Sequence, residues 1–372
     1  MENQPIQSGD ILIKDGKIAA IDAEIAESGA RIIDVKNNLV MPGLIDGHSH
    51  LGLVENGMAF EGNDLNEVTD PVTPQLRAID GVNIRDRSFQ EALQVGVTTA
   101  AISPGKANVI GGQTCILKMS GGNPRQMLLK DGAAFSVNLG DSPKRANFDT
   151  IAMPMSRMAE AYLLRKTLQE ARIYRDQTLK DRTVDFSKFN MKHEALKSVF
   201  ALEAPLRIAA HRLQDILTAI EIAEEFGLRI ILDYCTEGHL IAEQIVSRNI
   251  PVMLGPYWID NSSPELVERD PKAPLIFLRA GALICLITDH PDVPAHFLPA
   301  CAGIAVKEGM EYYEALKAIT INPAKALGID ARVGSIREGK DADLIVLDGE
   351  PLKIRTKVLM TFINGDLVYE AL

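Results

Sequence analysis

Short apolar segments alternate with amphipathic segments over most of the chain. Residues 213–226 place apolar side chains at helical spacing and end before Gly227, which predicts a helix with a glycine cap. Apolar runs bounded by turn residues predict strands at 40–45, 97–102, 114–119, 133–139, 206–210, 229–234, 250–254 and 283–288. Eight strands alternating with helices predict a parallel (β/α)8 barrel of the TIM type, with active sites at the carboxyl ends of the strands.

The two ends of the chain have a different pattern. Residues 8–22 predict a hairpin around Lys14-Asp15-Gly16, and further strands are predicted at 31–35 and within 333–370. Three long polar segments predict loops over the barrel mouth, at 54–84, 104–113 and 255–274. The other predicted helices are 88–96, with a Ser88–Glu91 capping box, then 154–179, 191–202, 239–248 and 274–281.

The end of the first predicted barrel strand carries two histidines. Side chains alternate between the faces of a strand, so His48 and His50 point the same way and can reach one metal ion. A pair of histidines is also common as a structural hydrogen-bonding element. The apolar strand, the preceding Pro42-Gly43 and the adjoining Asp46-Gly47 favour the metal site.

The stretch PGLIDGHSHLGL (42–53) resembles the first barrel strand of the amidohydrolase superfamily, in its imidazolonepropionase-like and prolidase-like branch. The similarity continues through INPAKALGI (321–329) and VGSIREGKDADLIVLDGEPL (333–352). It implies a metal-dependent barrel at 38–328 and a small β-sandwich built from 1–37 and 329–372. Family members usually begin with one more strand than this chain has before its hairpin.

The resemblance also implies a set of metal ligands. In the family, the metal ligands are two histidines from strand one, a carboxylate or carbamate from strand four, histidines from strands five and six, and an aspartate from strand eight. Asp289 matches the aspartate, and Asp141 stands where strand four would contribute, although it is also a plausible turn residue. At strands five and six this chain has Ala209 and Tyr234 instead of histidines.

These departures make one divalent ion the expected cofactor rather than two, with zinc expected and iron or manganese as alternatives. His48, His50 and Asp289 would bind the ion, and Asp289 would also move the proton. His211, two residues beyond Ala209 on the same strand face, is either a further ligand or the group that polarises the carbonyl. A lone histidine at a strand end is otherwise a packing residue.

Four residues are candidates for substrate binding. Asn108 and Gln113 lie in a glycine-rich segment and either line a pocket or shape a tight turn. Lys144 would receive a substrate carboxylate or is simply solvated, and His290 is a second candidate for polarising the carbonyl.

Composition narrows the class of partner. The chain has 372 residues and a net charge of −11, which argues against nucleic acid and anionic membranes as partners. Its four scattered cysteines and polar start predict a cytoplasmic protein with reduced thiols. The leading hypothesis is a hydrolase of a non-peptide C–N bond in a small amide, cyclic amide or dipeptide-like substrate. The alternative is a non-catalytic binding protein with a degenerate metal site, and a homo-oligomer is left open.

Overall fold

The computed structural model describes residues 2, 6–146, 148, 152–180, 189–259 and 263–371. The strands are β1 Asp10–Lys14, β2 Lys17–Asp22, β3 Leu39–Pro42, β4 Leu44–Ser49, β5 Val97–Ile102, β6 Ile110–Lys118, β7 Leu128–Asn138, β8 Leu206–Ala210, β9 Ile230–Tyr234, β10 Val252–Leu254, β11 Ile284–Leu286, β12 Leu344–Leu347, β13 Val358–Ile363 and β14 Asp366–Glu370.

The helices surround the strands and connect most of them. They are α1 Arg87–Gln94, α2 Pro124–Met127, α3 Asp141–Ala146, α4 Arg157–Lys180, α5 Met191–Ala195, α6 Lys197–Phe200, α7 Leu213–Phe226, α8 Ala242–Ser247, α9 Ala273–Ala280, α10 Leu298–Lys307, α11 Tyr312–Lys317 and α12 Ile321–Leu327. No helix in the described part of the chain is long and apolar enough to span a bilayer.

Strands β4 to β11 form one eight-stranded sheet in sequence order. The sheet curls until β11 meets β4, where His50 N donates to His290 O at 2.9 Å and Thr288 Oγ1 donates to Asp46. Its interior is packed by a layer of apolar side chains that includes Ile45, Ile116 and Ile231. The predicted barrel is therefore confirmed, and the carboxyl ends of its parallel strands share one mouth.

One strand of the barrel does not run parallel. The third strand, β6, pairs antiparallel with both β5 and β7, whereas the other neighbours pair in parallel. The prediction of a fully parallel barrel is wrong here because residues 103–109 are too short for a parallel crossover, which needs a dozen or more residues.

A small β-sandwich is built from both termini, as predicted. Strands β3, β12, β13 and β14 form one antiparallel sheet, and the β1–β2 hairpin packs on it around Ile18, Leu344 and Phe362. The strand β3 lies inside the predicted barrel range of 38–328, yet it pairs with β12. The single strand predicted over 40–45 is thus two strands, divided at Gly43. No strand forms at 31–35, where Ile32 is 88% exposed.

Local signals located most helices to within a few residues. Helix α7 spans the predicted 213–226 and ends at Gly227 with φ 66°. Helix α1 is capped by the Asp86 side chain, which accepts from Ser88 N at 2.9 Å, so the predicted Ser88–Glu91 capping box is wrong. The predicted helix 191–202 is interrupted at Leu196. All four cysteines are free and buried.

Candidate metal centre

Three side chains converge at the barrel mouth: His48 and His50 from the end of β4, and Asp289 just beyond β11. Each of the three is almost fully buried. Asp289 Oδ1 lies 3.4 Å from His48 Nε2 and 3.3 Å from His50 Nε2. In the described part of the chain, this is the one group of three or more histidine, cysteine or acidic side chains close enough to share an ion.

The ring of His50 has a fixed orientation and one unused nitrogen. Its Nδ1 lies 2.6 Å from the carbonyl oxygen of Ser103, which can only accept, so Nδ1 carries the hydrogen. In the neutral ring the other nitrogen, Nε2, presents a lone pair. It is buried and makes no hydrogen bond within the described structure. A buried acceptor without a partner is costly unless something else binds it.

The ring of His48 is held by a buried ion pair. Its Nδ1 lies 3.0 Å from Asp233 Oδ2 and 2.7 Å from Arg207 Nη2, and Arg207 also donates to both carboxylate oxygens of Asp233. Arg207 can only donate, so its Nη2 competes with Asp233 for Nδ1. The negative charge of Asp233 favours hydrogen on Nδ1, and in that tautomer the Nε2 lone pair faces Asp289. Burial opposes ionisation of Asp233, but Arg207 and His48 outweigh it and lower its pKa to about 2.

Both oxygens of Asp289 already have donors. Tyr234 donates its hydroxyl to Oδ1 at 2.6 Å, and Lys106 donates to Oδ2 at 2.7 Å. Burial alone would raise the pKa of Asp289, but Lys106, His50 and His48 hold it well below its usual range. The same burial and the nearby charge of Asp289 raise the pKa of Tyr234 well above normal. Asp289 is therefore a carboxylate and Tyr234 a neutral donor.

The donor set fits one divalent ion. Two neutral imidazole nitrogens and a carboxylate oxygen are the common ligands of catalytic zinc. Ligand atoms at the corners of a tetrahedron with bonds of about 2.0–2.1 Å are separated by about 3.3 Å. The separations of Asp289 Oδ1 from His50 Nε2 and His48 Nε2, 3.3 and 3.4 Å, match that spacing. The residues that would hold the ion are His48, His50 and Asp289, with a fourth position left for water.

His211 is close to these three residues but is not part of the group. Its ring stacks on Tyr234, with centroids 4.9 Å apart and planes at 17°, and Nδ1 lies 2.8 Å from Thr236 Oγ1. Burial and the charge of Lys106 lower the pKa of His211 to about 3, so the ring is neutral at ordinary pH. Its role as a metal ligand receives no support, because its ligand atoms are not within reach of the group formed by His48, His50 and Asp289.

The predicted strand-four ligand is directed elsewhere. Asp141 begins α3, and its carboxylate pairs with Arg145 at 2.5 Å rather than with the histidines. The prediction of Asp141 as a metal ligand therefore does not agree with the structure. Lys144, on the same helix, does not line the cavity at the mouth.

Three of the predicted substrate-binding residues have structural partners. Asn108 donates to the carbonyl oxygens of Glu67 and Asp70, and Gln113 donates to that of Pro74. The two amides thus fasten the 54–84 loop to β6. His290 is buried and its Nδ1 accepts from Ala295 N at 3.3 Å. None of the three lines the cavity, although the backbone carbonyl of His290 accepts from His50 N at 2.9 Å.

A cavity of about 500 Å³ opens beside Asp289, and neither His48 nor His50 lines it. Its floor is formed by Lys106, His211, Tyr234 and Asp289, and much of its wall by Gly255–Ile259 and other residues of the 255–274 loop. Residues 260–262 of that loop lie outside the described residues. Of the three predicted mouth loops, this one contributes most to the cavity, and 104–113 contributes Lys106.

Sequence reasoning missed Lys106, Arg207 and Asp233. The signal for Arg207 was available, because an arginine inside the apolar strand LRIAA is buried only when it is paired. Asp233 is its partner on the neighbouring strand β9, one residue before Tyr234. Lys106 gave no such signal, because a lysine in a glycine-rich loop is ordinarily solvated.

Tyr234 and Asp289 share an unusual backbone. Their φ angles are 66° and 54°, in the left-handed region that residues other than glycine seldom adopt. Tyr234 is the last residue of β9 and Asp289 lies shortly beyond the end of β11, so both turn the chain at the mouth of the barrel. Such strain is found where surrounding structure enforces a functional geometry.

Comparisons with known proteins agree with this architecture. The model of the amidohydrolase family matches residues 39–368, so the chain belongs to that family, whose members are typically metal-dependent hydrolases of C–N bonds. A solved structure of an amidohydrolase from Thermotoga maritima MSB8 superposes with a TM-score of 0.94 at 35% identity, covering 97% of this chain and 95% of that one.

Two curated relatives are more distant. Imidazolonepropionase from Thermoplasma volcanium is 26% identical over 98% of this chain and 91% of its own length. Amidohydrolase tasK from Hapsidospora irregularis is 27% identical over 97% of this chain, and the chain spans 40% of that protein's length.

Proposed function

We propose that this protein is a metal-dependent hydrolase that cleaves a non-peptide C–N bond in a small amide, cyclic amide or dipeptide-like substrate. The observation that carries the proposal is the unpartnered, buried Nε2 of His50, which faces Asp289 Oδ1 at 3.3 Å. A protein without a ligand for that nitrogen would leave a buried acceptor unsatisfied.

The ion would be held by His48, His50 and Asp289, with zinc proposed and iron or manganese as alternatives. When bound, such an ion supplies a water of lowered pKa and polarises the scissile carbonyl. Asp233, held in place by Arg207, favours the tautomer of His48 that leaves Nε2 free to bind. Tyr234 donates a hydrogen bond to Asp289 and orients that carboxylate, which accepts the proton of the attacking water and passes it to the leaving nitrogen.

The size and lining of the cavity support a small-molecule substrate. A volume of about 500 Å³ lies within the range of small-ligand sites. Imidazolonepropionase acts on a small cyclic compound by its name, and a similar substrate is proposed for this chain. His211 faces the same cavity as a neutral ring, so we propose it as a hydrogen-bonding contact for the substrate rather than as a ligand of the ion.

The test is metal content by plasma mass spectrometry, measured on protein purified without chelator. The matched control is the His48→Ala, His50→Ala double variant, with circular dichroism to verify its fold. We expect about one equivalent of a transition metal in the wild type and none in the variant. The loaded wild type would then be assayed against a panel of cyclic amides, linear amides and dipeptides.

The second candidate is a non-catalytic binding protein on the same fold. Ala209 and Tyr234 favour it, because they stand where the family's remaining histidine ligands are expected. Absence of metal from the wild type, even after incubation with zinc, manganese and iron, would exclude the hydrolase and leave this candidate.

A further inference from the structure

A cationic side chain occupies the side of Asp289 that faces away from the histidines. Lys106 Nζ donates to Asp289 Oδ2 at 2.7 Å, while Oδ1 faces His48 and His50. The carboxylate thus lies between the proposed ion position and an ammonium group. In the same arrangement a bridging carboxylate would lie between two metal ions.

The other side chains paired with the ammonium group in the described structure are a second carboxylate and an aromatic ring, and no histidine is among them. Asp292 Oδ2 lies 3.4 Å from Lys106 Nζ, and the Tyr234 ring centroid lies 4.8 Å from it. A cation over an aromatic face within about 6 Å is attracted to it. Ala209 and Tyr234 stand where the family's two further histidine ligands are expected, and neither supplies an imidazole. With the two carboxylates but without those histidines, the space beside Asp289 suits the ammonium group better than a second metal ion.

Lys106 is also accessible from the cavity. Its side chain is 27% exposed and lines the cavity with Tyr234 and Asp289, whose side chains are almost fully buried. A carbonyl group in the cavity can therefore approach the ammonium group. Negative charge develops on a carbonyl oxygen when water attacks its carbon, and a preorganised cation in a desolvated site stabilises that charge.

We propose that Lys106 takes the place of a second metal ion, so that the site binds one divalent ion and uses the ammonium group to hold the oxyanion of the reacting carbonyl. The inference rests on the proposed hydrolase. In the reaction, Lys106 donates a hydrogen bond to the oxygen as the C–O π electrons move onto it. The interaction weakens again when the C–N bond breaks and the carbonyl re-forms.

The first test uses metal alone. Lys106→Met removes a positive charge next to a ligand of the ion, so we expect zinc affinity to rise at least about tenfold in chelator competition. Lys106→Arg should remain within about threefold of the wild type, because it keeps the charge. Lys118→Met is the matched control, since that buried ammonium group pairs with Asp341 and Asp343 outside the mouth and should leave zinc affinity unchanged.

The second test measures anion binding. Trp258 is the single tryptophan of the chain and lines the cavity, so its fluorescence reports ligands there. Inorganic phosphate serves as a small tetrahedral anion. We expect the zinc-loaded wild type to bind it at least about tenfold more tightly than Lys106→Met, with Lys106→Arg intermediate. An increase in zinc affinity together with a decrease in phosphate affinity in Lys106→Met is the result expected of a residue that replaces a metal ion and binds the oxyanion.

Four results would overturn the inference. Three are two zinc equivalents in the wild type, unchanged or weaker zinc binding in Lys106→Met, and equal phosphate affinity in Lys106→Met and wild type. The fourth is a second ion bound by Ala209→His/Tyr234→His while Lys106 is present, because Lys106 would then not be what excludes it. A wild type that binds no zinc at all refutes the proposed hydrolase instead, so the two failures are distinguishable.

Discussion

The two halves of the barrel mouth have the same architecture and different chemistry. The half formed by β4 and the residues after β11 directs three donor atoms, from His48, His50 and Asp289, at one point. The half formed by the ends of β8 and β9 contributes Ala209, His211 and Tyr234, of which none belongs to that group. In the second half, side chains hold and modify the donors of the first.

The difference shows how a metal site can be retained while its surroundings change. Tyr234 satisfies Asp289 through a hydrogen bond at 2.6 Å, and Asp233, on the same strand, satisfies His48 at 3.0 Å. The ends of β8 and β9 therefore orient the proposed ligands without supplying one. The comparison leads to four predictions, which distinguish ligands from residues that orient or compete with them.

The largest effect is expected for a ligand. His50→Ala removes the one donor without another partner, so metal affinity should fall by more than about 100-fold. Isothermal titration with zinc measures it. His239→Ala, on the β9 side and hydrogen-bonded to Thr236 O, is the matched control and should bind normally. An equal loss of zinc affinity in His50→Ala and His239→Ala would show that the two halves of the mouth do not differ in metal binding.

The next effect concerns the residue that orients His48. Asp233→Asn leaves the buried Arg207 charge unpaired, so the free energy of unfolding should fall by about 3–5 kcal/mol. Metal affinity should fall about 10- to 100-fold, because His48 loses the carboxylate that fixes its tautomer. Urea denaturation and zinc titration measure the two quantities. A variant with lowered stability but unchanged zinc affinity would show that the ion pair is purely structural.

A smaller change of opposite sign is expected at Tyr234. Its one hydroxyl hydrogen is donated to Asp289 Oδ1 at 2.6 Å, and its oxygen also lies 3.1 Å from His48 Nε2, so the hydroxyl competes with an ion for Asp289 and crowds His48. Tyr234→Phe should therefore raise zinc affinity a few-fold and lower the stability of the metal-free protein by about 1–3 kcal/mol. The exposed Tyr162→Phe is the control. Weaker zinc binding in Tyr234→Phe would instead identify the phenol as a ligand.

The smallest effect is a pH dependence at His211. Its pKa is lowered to about 3 in the fold, mainly by burial, against about 6.5 in the unfolded chain. The folded state therefore binds fewer protons than the unfolded state below pH 6.5, and stability is lost as the pH falls through that window. Between pH 6 and 4, His211 should lower the free energy of unfolding by about 1.4 kcal/mol for each pH unit, and His211→Gln should remove this contribution.

The measurement for His211 must be a difference between the two proteins. Burial raises the pKa values of Asp46 and Glu160 to about 7. These two carboxyl groups add stability as the pH falls towards their unfolded pKa values. In the wild type alone, this gain masks the loss of stability that His211 causes. Denaturation curves of wild type and His211→Gln, taken in parallel from pH 7 to 4, cancel the carboxyl contribution. If the free energies of unfolding of the two proteins change with pH in the same way, His211 is not held neutral in the folded state. Zinc affinity should be unchanged in the variant.

The accuracy of the sequence-based predictions followed the range of the interactions involved. The elements were predictable from periodicity, as with α7, because local patterns determine them. His48, His50 and Asp289 were predictable because strand alternation and the family resemblance place them at one end of the barrel. Asp141 was not, because its nearest partner is Arg145 on its own helix and competes with any distant ion.

By itself the sequence determined the barrel with its terminal sandwich, the H-x-H strand, and the replacement of two expected histidines by Ala209 and Tyr234. Only the tertiary structure decided that β6 runs antiparallel, that Arg207 and Asp233 hold His48, and that Lys106 lies on Asp289. The residues in these contacts are far apart in the chain. Their pairing depends on strand register and loop path, which no local pattern encodes.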